Sequence, residues 1–193
     1  GMDRVLSVCA NLLSDIYSIT IIVANQRGWE HAYSLAENIN VVDLCVSSTN
    51  YKEEYKKSLT HYLQEHQFSV VISLGGLELF FLPQIKDGSK KVMWFHFAFD
   101  VSNMFLSERF HGWKLNLLYY IHTIRRVHFA KKFDTIVVLS KTDYESWKRF
   151  CNNVKYIYNP ITIDRKVISN LSEKTVIAVG RLGWQKGFDI LID

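Results

Sequence analysis

Residues 175–193 read TVIAVGRLGWQKGFDILID, and this stretch decides the fold class. Residues 176–179 form a short apolar run, mostly β-branched, that ends at a glycine, which predicts a buried parallel strand. A loop with Arg181 and Lys186 follows, and the apolar residues from Phe188 onward predict the start of a helix. A strand, a loop and a helix in this order make up the repeating unit of an open, parallel α/β sheet.

The chemistry of this loop suits a phosphate group. Arg181 and Lys186 face the positive end of the predicted helix, where backbone N–H groups also point outward. Guanidinium and ammonium groups form strong hydrogen bonds with phosphate oxygens. A loop of glycine, arginine and lysine also serves as an ordinary connector between a strand and a helix. The spacing alone leaves both interpretations open.

The segment VGRLGWQKGFDILID resembles the start of the second domain in family 4 glycosyltransferases, which are nucleotide-sugar enzymes of the GT-B fold. Their signature there is a strand, the residues G-R-L, a short gap, K-G and a helix. The resemblance implies that Arg181 and Lys186 hold the diphosphate of the sugar donor.

Strands and helices alternate over the rest of the chain, which predicts a doubly wound, largely parallel open sheet, the Rossmann-like half of a GT-B fold. Apolar residues at helical spacing predict the helices, and short apolar runs predict the strands. We expect helices at 2–13, 51–66 and 112–132 and from Ser140 to about Phe150, strands at 18–24, 40–46, 69–74, 90–97, 134–139 and 154–158, a helix start at 77–82, a short helix or a loop at 29–38, and a loop at 98–111.

The beginning of the chain departs from the family. Family members begin with a strand and a loop reading G-G-x-E-R, and the residues GMDR at 1–4 resemble only the end of that loop. The first strand is therefore expected to be missing. The alternative explanation of these residues is that Gly1 is a cloning scar and Met2 the start codon, and the two explanations are compatible. Loss of a central strand would leave two strands with unpaired edges. We hypothesise that the strand at 175–180 fills this slot, in the same molecule or exchanged between two molecules as a dimer.

The resemblance implies three regions. Residues 1–161 correspond to the N-terminal, acceptor-side domain, residues 162–173 to a linker, and residues 174–193 to the truncated start of the C-terminal, donor-binding domain. In the family the rest of that second domain carries the nucleoside pocket and an E-x(7)-E pair that contacts the donor. We therefore expect the 193-residue chain itself to be inactive.

His96 lies at the carboxyl end of a predicted strand, and ligands of open parallel sheets bind beyond these ends. By position alone it is also compatible with a satisfied core histidine. The resemblance places a histidine here facing the donor sugar, which makes His96 the candidate catalytic residue. The resemblance also implies no metal for the chemistry, and no cofactor apart from the nucleotide sugar as co-substrate. Further positions near the donor are Gly1, Gly180, Ser140 and Asn159.

The predicted helix at 112–132 combines aromatic residues with cations and contains no acidic residue. This composition favours contact with an anionic membrane surface, whereas a solvated basic face explains it equally well. Many family members act on lipid-linked acceptors, which favours the membrane. The residues expected at that surface are Trp113, Lys114, Arg125, Arg126, Lys131 and Lys132.

Composition excludes several classes. The chain is 48% apolar and 14% aromatic, which indicates a globular protein, and its apolar runs are too short to span a bilayer. No signal peptide opens it. Cys9, Cys45 and Cys151 are odd in number and unpaired in spacing, which indicates reduced, buried thiols in a cytoplasmic protein. A net charge of +4 gives no reason to expect a nucleic-acid partner.

These observations lead to two hypotheses of different classes. In the first, the parent protein is a retaining glycosyltransferase that moves a sugar from a nucleotide donor to a glycan or a lipid-linked acceptor, in cell-surface polysaccharide synthesis. In the second, the chain is a non-catalytic α/β module that binds a membrane or a partner. A different nucleotide-binding enzyme is disfavoured, because no G-x-G-x-x-G follows an early strand.

Overall fold

Helices and parallel strands alternate along the chain, so the predicted α/β class is confirmed. The computed structural model describes residues 2–28, 32–47, 49–161, 172, 174–180, 183 and 186–192. The helices are α1 Met2–Leu13, α2 Tyr51–Glu65, α3 Val101–Ser107, α4 Gly112–Ala130, α5 Lys141–Lys148 and α6 Phe188–Ile192; the strands are β1 Thr20–Val23, β2 Asn40–Asp43, β3 Val70–Ser73, β4 Lys90–Phe95, β5 Thr135–Val138 and β6 Val154–Tyr156.

The six described strands form two parallel sheets. One sheet pairs β1 with β2, with Thr20 beside Asn40. The other sheet has the order β3-β4-β5-β6, and Val92 of β4 lies beside Thr135 of β5. In both sheets neighbouring strands run in the same direction, so the carboxyl ends of each sheet lie along one edge. That edge is where ligands of open parallel sheets bind.

The separation into two sheets leaves β1 and β3 each with a partner on one side only, among the strands that the structure describes. The expectation that two strands have unpaired edges is therefore confirmed for the described strands. On β3, the side chains of Val70 and Ile72 are 48% and 51% exposed. Apolar side chains on an unpaired strand are the usual template for pairing with a further strand.

Residues 174–180 do not supply that strand, and the prediction of a strand at 175–180 is wrong. None of these residues is in a strand, and Val176, Ile177 and Val179 are 84%, 84% and 90% exposed. β-Branched residues favour a strand only when neighbouring strands provide packing and hydrogen bonds. The intramolecular form of the strand hypothesis is therefore wrong, while exchange between two molecules stays a prediction.

The main core lies on one face of the four-stranded sheet. Alternate residues of β4 point into it, and Met93 and Phe95 are 0% and 3% exposed. From α2 comes Leu63, and from α5 comes Trp147, which is 0% exposed. The ring of Trp147 meets that of Phe95 edge to face, with centroids 5.5 Å apart.

Three local predictions need correction. The stretch 98–111, which the sequence predicts to be a loop, contains α3. None of the seven residues of α3 is buried, so the sequence has no apolar repeat at helical spacing there. The helix expected at 77–82 is replaced by two 3-10 helices, Leu77–Phe80 and Leu82–Gln84, because Pro83 cannot continue an α-helix. In the stretch 29–38, the described residues 32–38 are not helical, and Trp29–His31 lie outside the described residues.

The cysteines agree only in part with the prediction of buried thiols. All three are free, but only Cys151 is buried, whereas Cys9 is half-buried and Cys45 is exposed. Cys45 lies at a positive φ of 52° just after β2, in the loop that follows the strand. Its position in a loop explains the exposure.

The chain divides into two compact units, Gly1–Pro160 and Ile161–Asp193. The first contains both sheets and α1 to α5, and the second contains α6.

A buried ion pair lies at the amino end of β4. Lys91 and Asp87 are only 5% and 1% exposed at their side chains, and the Lys91 ammonium donates to the Asp87 carboxylate and to Ser89 Oγ. Burial by itself would raise the pKa of Asp87, but the hydrogen bonds from Lys91 and Ser89 and the charge of Lys91 outweigh it, so that the pKa lies below its ordinary value.

We predict that Asp87→Asn lowers the free energy of unfolding by about 3–5 kcal/mol at pH 7, because it leaves the Lys91 charge buried and unpaired. Urea unfolding measures this loss. Since the pKa of Asp87 is lowered on folding, the stabilisation is complete above the pKa of the unfolded chain, about 3.9, and disappears as the pH falls below it. The difference between the two proteins should therefore shrink in acid.

The matched control is Glu65→Gln, which removes the carboxylate of the exposed His61–Glu65 pair. Exposed pairs contribute roughly 0–1 kcal/mol, so this variant should stay close to the natural protein. Equal losses for Asp87→Asn and Glu65→Gln would contradict the assignment.

Candidate functional site

The carboxyl ends of β3, β4 and β5 carry the glycine pair Gly75-Gly76, His96 and Ser140, respectively. Because these strands are neighbours in one parallel sheet, the three segments lie along the same edge. The sequence predicts His96 and Ser140 as site residues, and the structure places both on this edge. This edge is the candidate site of the first unit.

The glycine pair forms a turn that is held from within. Gly75 N donates to Ser73 Oγ at 3.1 Å, and Gly76 N donates to Glu78 Oε1 at 3.0 Å. Ser73 Oγ donates to the same carboxylate oxygen at 2.7 Å. Both glycine N–H groups are therefore occupied, which favours a turn over a phosphate cradle. Gly75 has a φ of +89°, and an added Cβ would lie 3.0 Å from the ring of Phe95.

Glu78 organises this edge, and sequence reasoning missed it. Its carboxylate binds Ser73 and the backbone of Gly76, and so it fixes the turn directly beside β4. A possible signal is the pattern S-L-G-G-L-E at 73–78, in which a carboxylate follows a glycine pair by two residues.

His96 follows directly after β4 and is half-buried. Its Nε2 is buried without a hydrogen-bond partner within the described part of the chain, and its ring lies 4.7 Å from that of Trp94. Burial lowers the pKa of His96, so the imidazole is neutral near pH 7. A satisfied core histidine would have a partner at both nitrogens. The free Nε2 is able to bind one ligand hydroxyl or carbonyl.

Ser140 is the N-cap of α5, as the sequence predicts. Its Oγ accepts from Asp143 N at 3.1 Å and donates to Asp143 Oδ2 at 2.7 Å. The other oxygen of that carboxylate accepts from Phe99 N at 2.8 Å, and so the cap ties α5 to the loop after His96. The hydroxyl of Ser140 is thus engaged in structure.

In the second unit, Lys186 immediately precedes Gly187 and α6 and is exposed. Gly180 lies close to it, since a Cβ added at Gly180 would be 3.6 Å from Lys186 Cγ and 3.3 Å from the ring of Phe188. Gly180 therefore lies beside Lys186 and the start of α6. Arg181 lies outside the described residues.

The remaining predicted positions are scattered or not described. Asn159 follows β6 and is exposed, and Gly1 lies outside the described residues. His96 belongs to the first unit and Lys186 to the second, and the two units are described separately. That His96 meets Arg181 and Lys186 at one donor site stays a prediction.

The face expected to meet a membrane is described completely. Trp113 is 70% exposed, and Lys114, Arg125, Lys131 and Lys132 are exposed as well. The prediction for Arg126 is wrong, because this residue is 7% exposed and packs inward. On a helix the side chain at 126 points almost opposite to that at 113, by about 140° at 100° per residue. No helix in the described part of the chain is long and apolar enough to cross a membrane.

The described residues contain no group of three or more His, Cys, Asp or Glu side chains arranged to hold a metal ion. The candidate edge carries the neutral imidazole of His96, backbone groups, hydroxyls and the Glu78 carboxylate.

No protein-family model matches the chain. A curated protein of Haemophilus influenzae, described as "Uncharacterized glycosyltransferase", is similar to it, with 26% identity over 201 aligned residues. The aligned region covers 100% of this chain and 52% of the relative, so that the chain spans about half the length of the curated relative it matches. The chain thus has a distant relationship to a glycosyltransferase.

We predict that His96→Phe leaves the free energy of unfolding within about 1 kcal/mol of the natural value at pH 7, because no hydrogen bond of Nε2 is lost. Since the pKa of His96 is lowered on folding, the unfolded chain binds its proton first, and stability falls as the pH drops below about 6.5. His96→Phe should remove this part of the acid slope. Urea unfolding between pH 5 and pH 8 measures both effects.

The matched variant is His96→Gln, which keeps a polar group at the buried position and should be less stable than His96→Phe. A loss of more than about 2 kcal/mol in His96→Phe would mean that the imidazole has a structural hydrogen bond after all.

Proposed function

We propose that the gene product containing this chain is a retaining glycosyltransferase of family 4, with the GT-B fold. It moves a sugar from a nucleotide donor to a glycan or a lipid-linked acceptor, in cell-surface polysaccharide synthesis in the cytoplasm. The observation that carries the proposal is the similarity, over the whole of this chain, to a protein whose description is "Uncharacterized glycosyltransferase". The parallel α/β fold, with His96 at the carboxyl edge of its sheet, supports it.

His96, Arg181 and Lys186 have distinct roles in this proposal. The two cations neutralise the diphosphate as it leaves the sugar, which stabilises the charge that develops in the transition state. The neutral imidazole of His96 binds a hydroxyl of the donor sugar through its free Nε2. The exposed side chain of Lys186 beside Gly180 has room to reach a bound diphosphate.

We expect the complete gene product to release a nucleoside diphosphate when it is incubated with one member of a nucleotide-sugar panel and an acceptor extract. Arg181→Ala and Lys186→Ala should each lower kcat by about 100-fold or more, as removal of one group that stabilises transition-state charge does. Steady-state kinetics of diphosphate release measure the effect. His96→Ala should lower kcat/KM for the donor as well.

Lys174→Ala is the matched control, since Lys174 is an exposed lysine that lies outside the proposed site. It should leave the kinetics unchanged. If no nucleotide sugar in the panel is turned over or bound by the complete protein, the transferase proposal is wrong, and the non-catalytic module becomes the better explanation.

We also propose that α4 lies on an anionic membrane surface. Its exposed apolar residues form one stripe, called the apolar stripe below, which spans about 100° of the helix at 100° per residue. No acidic residue occurs in α4, and exposed cations flank the stripe. The members of the apolar stripe, with their exposed fractions, are Trp113 70%, Leu117 49%, Tyr120 64%, Ile121 49% and Ile124 50%.

Charge and shape together select the membrane as occupant. A stripe with five large apolar side chains is costly to leave in water, and Trp113 and Tyr120 are residue types that favour the membrane interface. Lys114, Arg125 and Lys131 lie beside it and are free of ion pairs within the described residues. Each such cation contributes about 1 kcal/mol near an anionic leaflet.

We predict that the chain binds vesicles containing anionic phospholipid, that added salt weakens the binding, and that zwitterionic vesicles bind less. Leu117→Glu should reduce the partition coefficient by at least about tenfold, because it puts a charge into the apolar stripe. Vesicle co-sedimentation measures the partition coefficient.

Leu12→Glu is the matched control, since Leu12 is a 68% exposed leucine on a different helix. It should bind vesicles like the natural protein. Equal losses in both variants, or binding that ignores lipid charge, would contradict the proposal, and a stable complex with a protein partner through α4 would replace it.

A further inference from the structure

Arg126 of α4 is a buried cation without an anionic partner. It is 7% exposed, and no carboxylate of the described residues lies within 4 Å of its nitrogens. Its Nη1 donates to Ser102 Oγ at 2.8 Å, and its Nη2 donates to the carbonyl oxygen of Phe99. Its Nε is buried and has no hydrogen-bond partner among the residues that the structure describes.

The surroundings of Arg126 are neutral and mostly aromatic. The guanidinium carbon lies 5.6 Å, 5.5 Å and 5.9 Å from the ring centroids of Phe95, Phe99 and Trp147. Asp100 acts on it electrostatically, but only from beyond ion-pair distance. Ring faces and neutral oxygens compensate a buried charge only in part. A positive charge that is only partly compensated, with Nε as an unpaired donor, therefore remains at this place.

A pocket of about 270 Å³ opens at Arg126, next to the carboxyl ends of β3 and β4. Ser102 and His122 add polar groups to its wall, while Phe97 and Phe105 make much of the rest apolar. We call this cavity the Arg126 pocket. Its volume is slightly below the range of about 300–1,000 Å³ that is usual for whole small-molecule ligands. It is therefore of a size for one end of a larger molecule.

We propose that the Arg126 pocket binds an oxyanion, a phosphate or a carboxylate, carried at one end of the acceptor. The free Nε–H and the outer Nη hydrogens of Arg126 bind the oxyanion, and the aromatic wall packs against the body that carries it. The assignment of this ligand as acceptor rests on the proposed glycosyltransferase function. The oxyanion site itself does not.

The alternative is that Arg126 has a structural role alone. Its two hydrogen bonds tie α4 to α3 and to the loop after β4, and they would suffice for such a role. A purely structural arginine, however, has no reason to keep a buried and unpartnered Nε beside a cavity. Leaving a buried donor unpaired costs free energy that a ligand oxygen would recover.

The first experiment follows the Arg126 Nε–H signal in the nitrogen–proton NMR spectrum of the 193-residue chain. The signal is assigned by its loss in Arg126→Lys. Phenyl phosphate and benzoate are the probes, and benzyl alcohol is the neutral match. We expect phenyl phosphate, benzoate or both to shift the Arg126 Nε–H signal in a saturable manner. Benzyl alcohol should leave this signal unchanged. The two anionic arms distinguish phosphate from carboxylate.

Affinity measured by calorimetry tests the same site with variants. Arg126→Lys keeps the charge but loses the planar fork, and should weaken binding of the preferred probe by at least about tenfold. Arg126→Met should abolish it. Arg149→Met removes an exposed arginine outside the Arg126 pocket, and is expected to stay within about twofold of the natural affinity. If Arg126→Met fails to fold, the affinity of Arg126→Lys and the NMR titration of the natural protein decide whether the site exists.

The inference is overturned if neither anion shifts the Arg126 signal, if benzyl alcohol shifts it equally, or if Arg126→Lys and Arg149→Met bind alike. These results are independent of turnover. Oxyanion binding without any nucleotide-sugar turnover in the complete protein would retain the site and reject the transferase. Turnover without oxyanion binding would retain the transferase and reject the site.

Discussion

The packing of Trp147 against Phe95 and Phe99 holds together the elements that form the candidate edge. Trp147 is fully buried, and the two phenylalanine rings meet it edge to face at 5.5 Å and 5.1 Å. Phe95 ends β4 and Phe99 lies in the next loop, so that α5 holds both sides of His96. Rings in this arrangement stabilise each other beyond the area they bury. The position of His96 therefore depends on a contact made by its neighbours and not on a hydrogen bond of its own.

Arg126 uses the same three rings, and this links the core to the Arg126 pocket. The guanidinium lies over these faces while its nitrogens reach Ser102 and the carbonyl oxygen of Phe99. One side of the loop at 96–100 is thus held by Arg126, and the other by Asp143, which accepts from Phe99 N. A ligand that binds Arg126 therefore contacts a side chain that also positions this loop. The same loop therefore positions both His96, the candidate catalytic residue, and the Arg126 pocket.

The spacing of apolar residues predicts those helices and strands that bury one continuous face. Helix α1 was predicted at its observed ends, and α2 and α4 end within two residues of the prediction, because apolar side chains recur at helical spacing in them. Helix α3 buries no residue and leaves no such trace. The cap at Ser140 was predictable because the capping hydroxyl acts locally, within three residues of its partner.

The wrong predictions have a common physical origin. They concern residues whose structure depends on partners that are distant in the sequence. The apolar run at 176–179 has the composition of a strand, but composition provides no neighbouring strand with which to pair. Arginine is usually an exposed residue, yet rings and a hydroxyl from two other segments, at 95–102 and at 147, surround Arg126. A sequence read in order does not show these contacts. The unpartnered Nε2 of His96 is likewise visible only in three dimensions.

If α4 lies on a membrane surface as proposed, the helix fixes the geometric relation between that surface and the Arg126 pocket. At 100° per residue, Arg126 points roughly 170° away from the centre of the apolar stripe, and a helix with its side chains is about 10 Å across. A phosphate in the headgroup layer beneath the stripe would therefore lie on the wrong side of α4. An oxyanion at Arg126 has to be carried about one helix width or more out of the headgroup plane. This geometry favours a sugar phosphate or an acidic sugar at the end of a carrier-linked glycan over the headgroup of a phospholipid.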